Sequence, residues 1–436
     1  MDRHVTDKDV LHKKYLDILS TVKSKILPGY DLGLVLYNEA WYAIEKRKSI
    51  YKELLKSMPI RPCSFDVKII GQDLLTIATF LGRPDHDSYW NAICDDAGNH
   101  DNITLLYPKD AKSFIKNVDI LGVSIRLHWF NLFFKELEGI KPFRNRVYLT
   151  LQLVKRKWVL SEIESMNLSH RLVMCFFDGN PDESLLMLYF KKNGAITVTN
   201  QHGQPLFRSF DYDRLNQSQI LGFKCDCFLA KGEFTRRQFA AAGVDQERIL
   251  LLGVVGDRNN HNDLQTSRKS YPVIGLLLDS PTLPFSNEVN SKIISITQNV
   301  AHKLNGKFFI RIHPLDTADN YSYNVGDAHC LGIYDNRIPL DKLLLLCDVT
   351  VIHATASYLD SYKNRVRAFK YKSDVYFPIA KEEDEFKTED ELFALINSWI
   401  MEDSNTKEKY MDRVYSDYNS GWYPNKTQDI LNQLIK

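Results

Sequence analysis

Along this chain the apolar positions alternate between unbroken runs and helically spaced stretches, a pattern that predicts strands and helices taken in turn. Residues 31–37 read as a buried strand and residues 39–56 as the helix that follows, the opening of a Rossmann-like unit. The stretch 61–102 is irregular, broken by Pro62, Gly71, Gly82, Pro84 and Gly98, before residues 103–107 offer another strand. Residues 111–167 read as mostly helical. From there the pattern sharpens. Strands are predicted over 172–177, 195–199, 226–230 and 248–252, with helices over 182–192 and 234–242. Pro181, Asp182 and Glu183 suit a helix start, while Gly194, Gly243 and Gly253 suit stops. After the polar, aperiodic segment 256–270 the alternation resumes, with strands over 273–278, 307–312 and 348–352 and helices over 287–304, 340–346 and 356–362. The tail from Thr388 reads as two or three helices.

Successive strand–helix units imply parallel sheets, so the fold class is α/β. A length of 436 residues exceeds the roughly 250 to 300 at which a single core stops growing. The expected division is an N-terminal Rossmann-like domain over 1–256, a C-terminal Rossmann-like domain over 271–387, and C-terminal helices over 388–436 that pack back toward the first domain. Fifty-six Lys and Arg against 55 Asp and Glu leave a net charge of +1, so no global field draws nucleic acid, and none is an expected partner. The charged start MDRHVTDKDVLHKKYLD lacks the apolar centre of a signal peptide, and no long uncharged apolar run follows. The expected location is the cytoplasm. Seven cysteines are scattered without a CxxC pair, which argues against a disulfide framework and a zinc site; Cys225 and Cys227, spaced as in a strand, are expected on one of its faces.

Residues 127–157 combine the aromatic run LHWFNLFF with Lys141, Arg144, Arg146, Lys155, Arg156 and Lys157. Two readings stand: core helices with solvated basic faces, or an interfacial helix that meets anionic lipid or a lipid-linked acceptor.

In an open parallel sheet, ligands bind beyond the carboxyl ends of the strands, so the polar residues there are the candidates. In the first domain these are Asp178 and Asn180, then Gln201, His202 and Gly203, then Lys231 and Glu233. In the second they are Asp279 and Ser280, then Arg311, His313 and Pro314, then His353, Thr355 and Ser357. His202 beside Gly203 offers an imidazole where a ligand can come close, suited to accept a hydroxyl proton; a hydrogen-bonded loop residue is the structural alternative. Arg311 and His313 alternate with Ile312 and so share a side, placed to hold phosphate, although a strand-end histidine can equally bond a carbonyl. The strand before His353 runs into small and hydroxyl residues that open a helix, a setting for a diphosphate without a cation; Thr355 and Ser357 equally suit plain helix caps. No Walker or GxGxxG pattern is present, and of the DxD tripeptides only Asp211-Tyr212-Asp213 keeps a metal option open against a solvated turn. The expected metal and cofactor content is none, with the activated donor as co-substrate.

Taken together, Asp178-Gly179 with Glu183, Gln201-His202-Gly203-Gln204-Pro205, Gly232-Glu233-Phe234 with Gly243-Val244 and Leu252-Gly253, then Arg311-Ile312-His313-Pro314 and the strand leading to His353, resemble bacterial surface-polysaccharide transferases of the GT-B type. These enzymes of capsule, lipopolysaccharide and teichoic acid synthesis include CDP-glycerol glycerophosphotransferases and transferases of CMP-activated sugars. The resemblance spans about residues 171–370 and leaves the first 170 unmatched. It implies a GT-B fold with the active site in the interdomain cleft. It also implies His202 as the base, with Asp178 as a second catalytic candidate, and His313 on the donor phosphate together with Arg311, Pro314, His353, Thr355, Ser357, Asp279 and Ser280. Gln201, Gly203, Lys231 and Glu233 would support the acceptor. The family's Asp-Tyr-Ser-Ser after the next strand is replaced by Ile352-His353-Ala354-Thr355-Ala356-Ser357, a departure from the polyol-phosphate subgroup. The expected reaction moves a sugar from a nucleotide-activated donor to a glycan or lipid-linked glycan, with peripheral contact at the inner membrane face. A polyol-phosphate transferase, a nucleotide-sugar epimerase of the same fold and a non-catalytic nucleotide-sugar binder are the alternatives.

Overall fold

The computed structural model describes residues 65–68, 73–78, 84–98, 103–108, 120–201, 224–241, 243–256, 271–281, 286–314, 316–324, 326–355, 357–373 and 380–435, with Ile18, Ser20, Tyr30, Val35, Leu36 and Ala40. The first lobe holds β1 (Phe65–Lys68), β2 (Leu74–Ile77), α1 (Pro84–Asp96), β3 (Ile103–Pro108), α2 (Ile120–Glu136), α3 (Phe143–Met166), β4 (Leu172–Cys175), α4 (Pro181–Lys192), β5 (Ile196–Asn200), β6 (Cys227–Ala230), α5 (Glu233–Ala241) and β7 (Ile249–Leu251). Its sheet runs β1-β3-β2-β4-β5-β6-β7, parallel except for β1 against β3. Both faces are apolar because each buries a different half of every strand. Val173 and Cys175 pack with Val159 and Ile163 of α3 and Phe190 of α4, while Leu172 and Met174 pack with Trp90 and Ile93 of α1.

The second lobe holds β8 (Val273–Leu277), α6 (Ser286–Lys303), β9 (Lys307–Arg311), β10 (Cys330–Tyr334), α7 (Leu340–Leu344), β11 (Val349–Ile352), α8 (Ser357–Lys363), β12 (Arg367–Tyr371) and β13 (Glu385–Phe386). Its all-parallel sheet runs β10-β9-β8-β11-β12-β13. Chain order therefore reverses between β8 and β11, leaving a crevice beyond their carboxyl ends.

Three helices end the chain: α9 (Glu389–Met401), α10 (Ser404–Tyr418) and α11 (Lys426–Ile435). α9 packs on α6, α10 lies against both α5 and α8, and α11 returns to α1. There Leu431 enters the first-lobe core, and the Asp96 carboxylate accepts from the amides of Asn425 (2.6 Å) and Thr427 (2.8 Å), capping α11. The chain crosses between lobes at residues 418–421, under two glycines. A Cβ at Gly232 would overlap the Tyr418 carbonyl carbon, and one at Gly253 (φ +87°) would stand 2.5 Å from the Gly421 oxygen.

Three expectations are corrected. Residues 31–37 are not a strand throughout: Val35 is helical, and the Ala40 amide donates to Leu36 C=O at 2.8 Å. An unbroken apolar run fits a buried helix as well as a strand; the rest of that segment lies outside the described residues, as do most of the helix expected over 39–56 and the linker at 257–270. The irregular stretch 61–102 contains β1, β2 and α1. Cys225 and Cys227 do not share a face, because β6 begins at Cys227 and the turn before it sends Cys225 to the α3–α4 side and Cys227 to the α1 side.

Candidate functional site

Asp279 and His353 leave the two strands that flank the second-lobe crevice, and Ser373 follows the neighbouring β12. Asp279 is 1% exposed and His353 fully buried. The Asp279 carboxylate meets His353 Nδ1 at 2.5 Å through Oδ2 and accepts the Ala354 amide at 2.8 Å through Oδ1. His353 Nε2 in turn faces Ser373 Oγ at 2.7 Å. Asn290 of α6 braces the Asp279 backbone, accepting its amide at 3.1 Å. Three strand ends are thereby laced together by one hydrogen-bonded chain. Sequence reading named Asp279 and His353 singly and missed Ser373 because it missed β12.

Arg311 ends β9, with Ile312 buried behind it and His313 half-buried beyond. Nη1 of Arg311 is buried and has no hydrogen-bond partner among the described residues. Burial holds the guanidinium below its usual range even though Asp335 pulls it up. Pro314 follows, exposed, and Ser280 stands half-buried after Asp279. Thr355 Oγ1 accepts the Ser357 amide at 3.3 Å and so caps α8, a helix of seven residues.

In the first lobe, Asp178 is buried, and its Oδ2 accepts the amides of Lys224 (2.7 Å) and Cys225 (3.2 Å). This carboxylate anchors the segment that leads into β6. Gln201 Oε1 accepts the Lys231 amide (2.6 Å) and the Thr235 hydroxyl (3.1 Å), tying the end of β5 to the start of α5. Glu233 pairs with Arg236 at 2.7 Å. His202, Gly203, Asp211 and Asp213 lie outside the described residues.

The lobes meet around Lys231. Its Nζ stands 4.7 Å from the centre of the Tyr89 ring of α1, and burial lowers its pKa against the pull of Asp360 on α8. Asp360 in turn is raised by burial, with Lys231 and Lys363 opposing. Beside this contact, Glu233, Arg237, Lys381, Arg413, Ser416 and Asp417 line a cavity of about 410 Å³. Asp417 of α10 there binds Lys381 of the second lobe at 2.6 Å and Arg237 of the first at 2.7 Å. Tyr89, Asp360 and Asp417 were missed in sequence, since no strand end or motif marks them. Among the described residues, no cluster of His, Cys, Asp or Glu could hold a metal ion, and no helix is long and apolar enough to cross a membrane.

No protein-family profile matches the chain, and comparison with curated proteins gives no match. Solved structures do resemble it. The UDP-GlcNAc 2-epimerase of Methanocaldococcus jannaschii, in complex with UDP-GlcNAc and UDP, aligns with a TM-score of 0.51 at 13% identity over 83% of this chain and 99% of that one. The Neisseria meningitidis UDP-GlcNAc 2-epimerase bound to UDP-GlcNAc gives 0.49 at 12% identity over 84% and 100%. The lipopolysaccharide outer core galactosyltransferase WaaB, in apo form, gives 0.48 at 12% identity over 83% and 99%. At such identities likeness shows the fold alone. With two Rossmann-like sheets and strand ends that carry polar side chains, this chain is an α/β protein of GT-B fold.

Proposed function

We propose that this protein is a metal-independent glycosyltransferase that moves a sugar from a nucleotide-activated donor to a growing bacterial cell-surface polysaccharide. The observation that carries the reading is Arg311: a half-buried cation at a strand end, with a buried Nη1 lacking any hydrogen-bond partner among the described residues, next to His313. Leaving a buried charged donor unmade is costly, and an anionic ligand would relieve that cost. Donor phosphate fits this position on the second lobe.

In the proposed reaction His202 takes the acceptor hydroxyl proton, the acceptor oxygen bonds the donor's anomeric carbon, and the bond from that carbon to the phosphate oxygen breaks. Arg311 and His313 meet the charge that develops on the departing nucleotide. Asp178 and Gln201 act indirectly, Asp178 by anchoring the segment that leads into β6 and Gln201 by tying the end of β5 to the start of α5. Asp279 and His353, both buried, shape the donor crevice from within; Thr355 and Ser357 order its far edge, with Ser280 and Pro314 lining the approach. Lys231, Gly203 and Glu233 belong to the acceptor side of the cleft. The acceptor, a glycan or lipid-linked glycan, meets the protein at the inner face of the membrane.

Incubation with CMP-, CDP-, UDP- and GDP-activated donors, with and without acceptor glycan, tests this reading. Acceptor-dependent nucleotide release that survives EDTA is expected. Conversion of a donor sugar without acceptor would replace the transferase with an epimerase, and a loss that Mg²⁺ restores would shift attention to Asp211 and Asp213.

A further inference from the structure

We infer that Lys231 receives an anionic group of a substrate, a carboxylate or a phosphate, where the two lobes meet. The inference rests on the proposed reaction, which puts this lysine on the acceptor side of the cleft, and deepens it by naming the chemistry that the lysine reads. Lys231 follows β6 directly and so stands at the carboxyl edge of the first-lobe sheet, the edge at which open parallel sheets bind ligands.

The backbone of Lys231 is fixed from both sides: its amide donates to Gln201 Oε1 at 2.6 Å, and its carbonyl accepts the Ser420 amide at 2.8 Å. The ammonium lies 4.7 Å from the centre of the Tyr89 ring and, among the described residues, makes no hydrogen bond or ion pair. A ring face attracts a cation but offers no lone pair to its three protons. Asp360 of α8 pulls on it from the second lobe without pairing with it, and Lys363 pushes against it. Burial prevails and lowers the Lys231 pKa. The cations of the adjoining cavity are provided for differently. Lys381 and Arg237 both reach Asp417, at 2.6 and 2.7 Å, and Arg413 reaches Glu383 at 2.6 Å. Leaving the donors of a buried ammonium unmade is costly, and an incoming oxyanion removes that cost with charge-assisted hydrogen bonds. A neutral hydroxyl supplies a lone pair but no charge to set against the buried one. Asp360, held short of contact, opposes the bound anion and so limits its affinity.

Amine modification of the full chain tests the inference at Lys231 itself. Reductive methylation, read by peptide mass spectrometry, is run with inorganic phosphate, pyrophosphate, glucuronate, glycerol phosphate, CMP, CDP, UDP and GDP, each against sodium chloride of the same ionic strength. At least one of these anions is expected to slow methylation of Lys231 several-fold while the exposed Lys409 reacts as before. In calorimetry, Lys231→Gln is expected to weaken the protecting anion about 10- to 100-fold, as for a hydrogen bond to a charged group. Protection by a nucleotide that Arg311→Ala abolishes assigns the anionic group to the donor; protection by glucuronate or glycerol phosphate that persists in Arg311→Ala assigns it to the acceptor. Asp360→Asn removes the opposing charge and is expected to keep or strengthen the protection. Protection lost in Asp360→Asn would overturn the inference, because Lys231 would then serve a contact between the lobes. Protection no greater than that of sodium chloride would overturn it too, leaving an ammonium that water solvates. If nucleotides still bind in a manner that depends on Arg311, the proposed function stands without this inference; if none binds, that reading falls as well.

Discussion

Asp384 shows how single side chains set the shape of the candidate site. Its fully buried carboxylate accepts from Tyr358 (2.9 Å) and Tyr362 through Oδ2, and from Tyr410 (2.7 Å) and Arg367 (2.8 Å) through Oδ1. Burial would lower the Arg367 pKa, but the Asp384 charge and hydrogen bond together with Tyr410 and Tyr362 more than offset it. Tyr358 and Tyr362 belong to α8 and Tyr410 to α10, so one carboxylate fixes the helix after His353 against the helix that spans both lobes. Asp384→Asn keeps the volume and removes the charge, leaving the half-buried Arg367 beside a neutral amide. A loss of about 3 to 5 kcal/mol is expected, read as a lower urea midpoint with unchanged slope. A loss under about 1 kcal/mol, the worth of an exposed pair, would show that the cluster is merely a surface ion pair.

Helices and strands were legible in sequence where burial is uniform and obscure where charge is paired internally. β8, β9 and β11 read directly as apolar runs. β12 did not, because Arg367 and Lys370 give it the look of an exposed segment, while in the fold Arg367 is satisfied by Asp384 and Lys370 by Glu385 at 2.7 Å. Ser373 was lost with it. Asp279 and His353 were found by the strand-end rule, but their pairing across 74 residues is a property of strand order, which no local pattern encodes. α2 is core on one side only: Phe133 is buried, while Leu127 and Leu132 are 46% and 47% exposed, and Phe143 at the start of α3 is 69% exposed. Arg146 lies 3.8 Å over the Phe134 ring, which contacts Phe143, and this apolar edge neighbours Lys135, Lys141 and Arg144 in the chain. Flotation with anionic vesicles at low salt should carry the wild type upward and leave Leu132→Asp/Phe143→Asp behind; wild type that stays at the bottom removes membrane contact from the account. The crossover segment makes a second demand at this scale. Gly232→Ala would press a methyl against the Tyr418 backbone, and the shift needed to admit it should cost about 1 to 3 kcal/mol, seen as a lower melting temperature. Wild-type stability would mean that the two lobes are not held as closely as described.

Across the whole molecule, the last helices unite what the two sheets would leave separate. α10 bridges the lobes through Asp417 and through Tyr418, whose ring meets Phe234 at 4.6 Å, while α11 completes one face of the first lobe. The proposed reaction needs His202, which follows β5 in the sequence, to share a cleft with Arg311 and His313 at the end of β9. In that reaction the second lobe grips the nucleotide and the first supplies the base. Calorimetric titration of CMP, CDP, UDP and GDP into wild type, Arg311→Ala, His313→Ala and His202→Ala, paired with turnover, tests it most directly. Binding of one nucleotide to the wild type is predicted, weakened about 10- to 100-fold in Arg311→Ala and His313→Ala, as for a hydrogen bond to a charged group. His202→Ala should bind as wild type yet turn over roughly 10² to 10⁴ times more slowly. Nucleotide binding lost in His202→Ala and kept in Arg311→Ala and His313→Ala would reverse the roles of the two lobes.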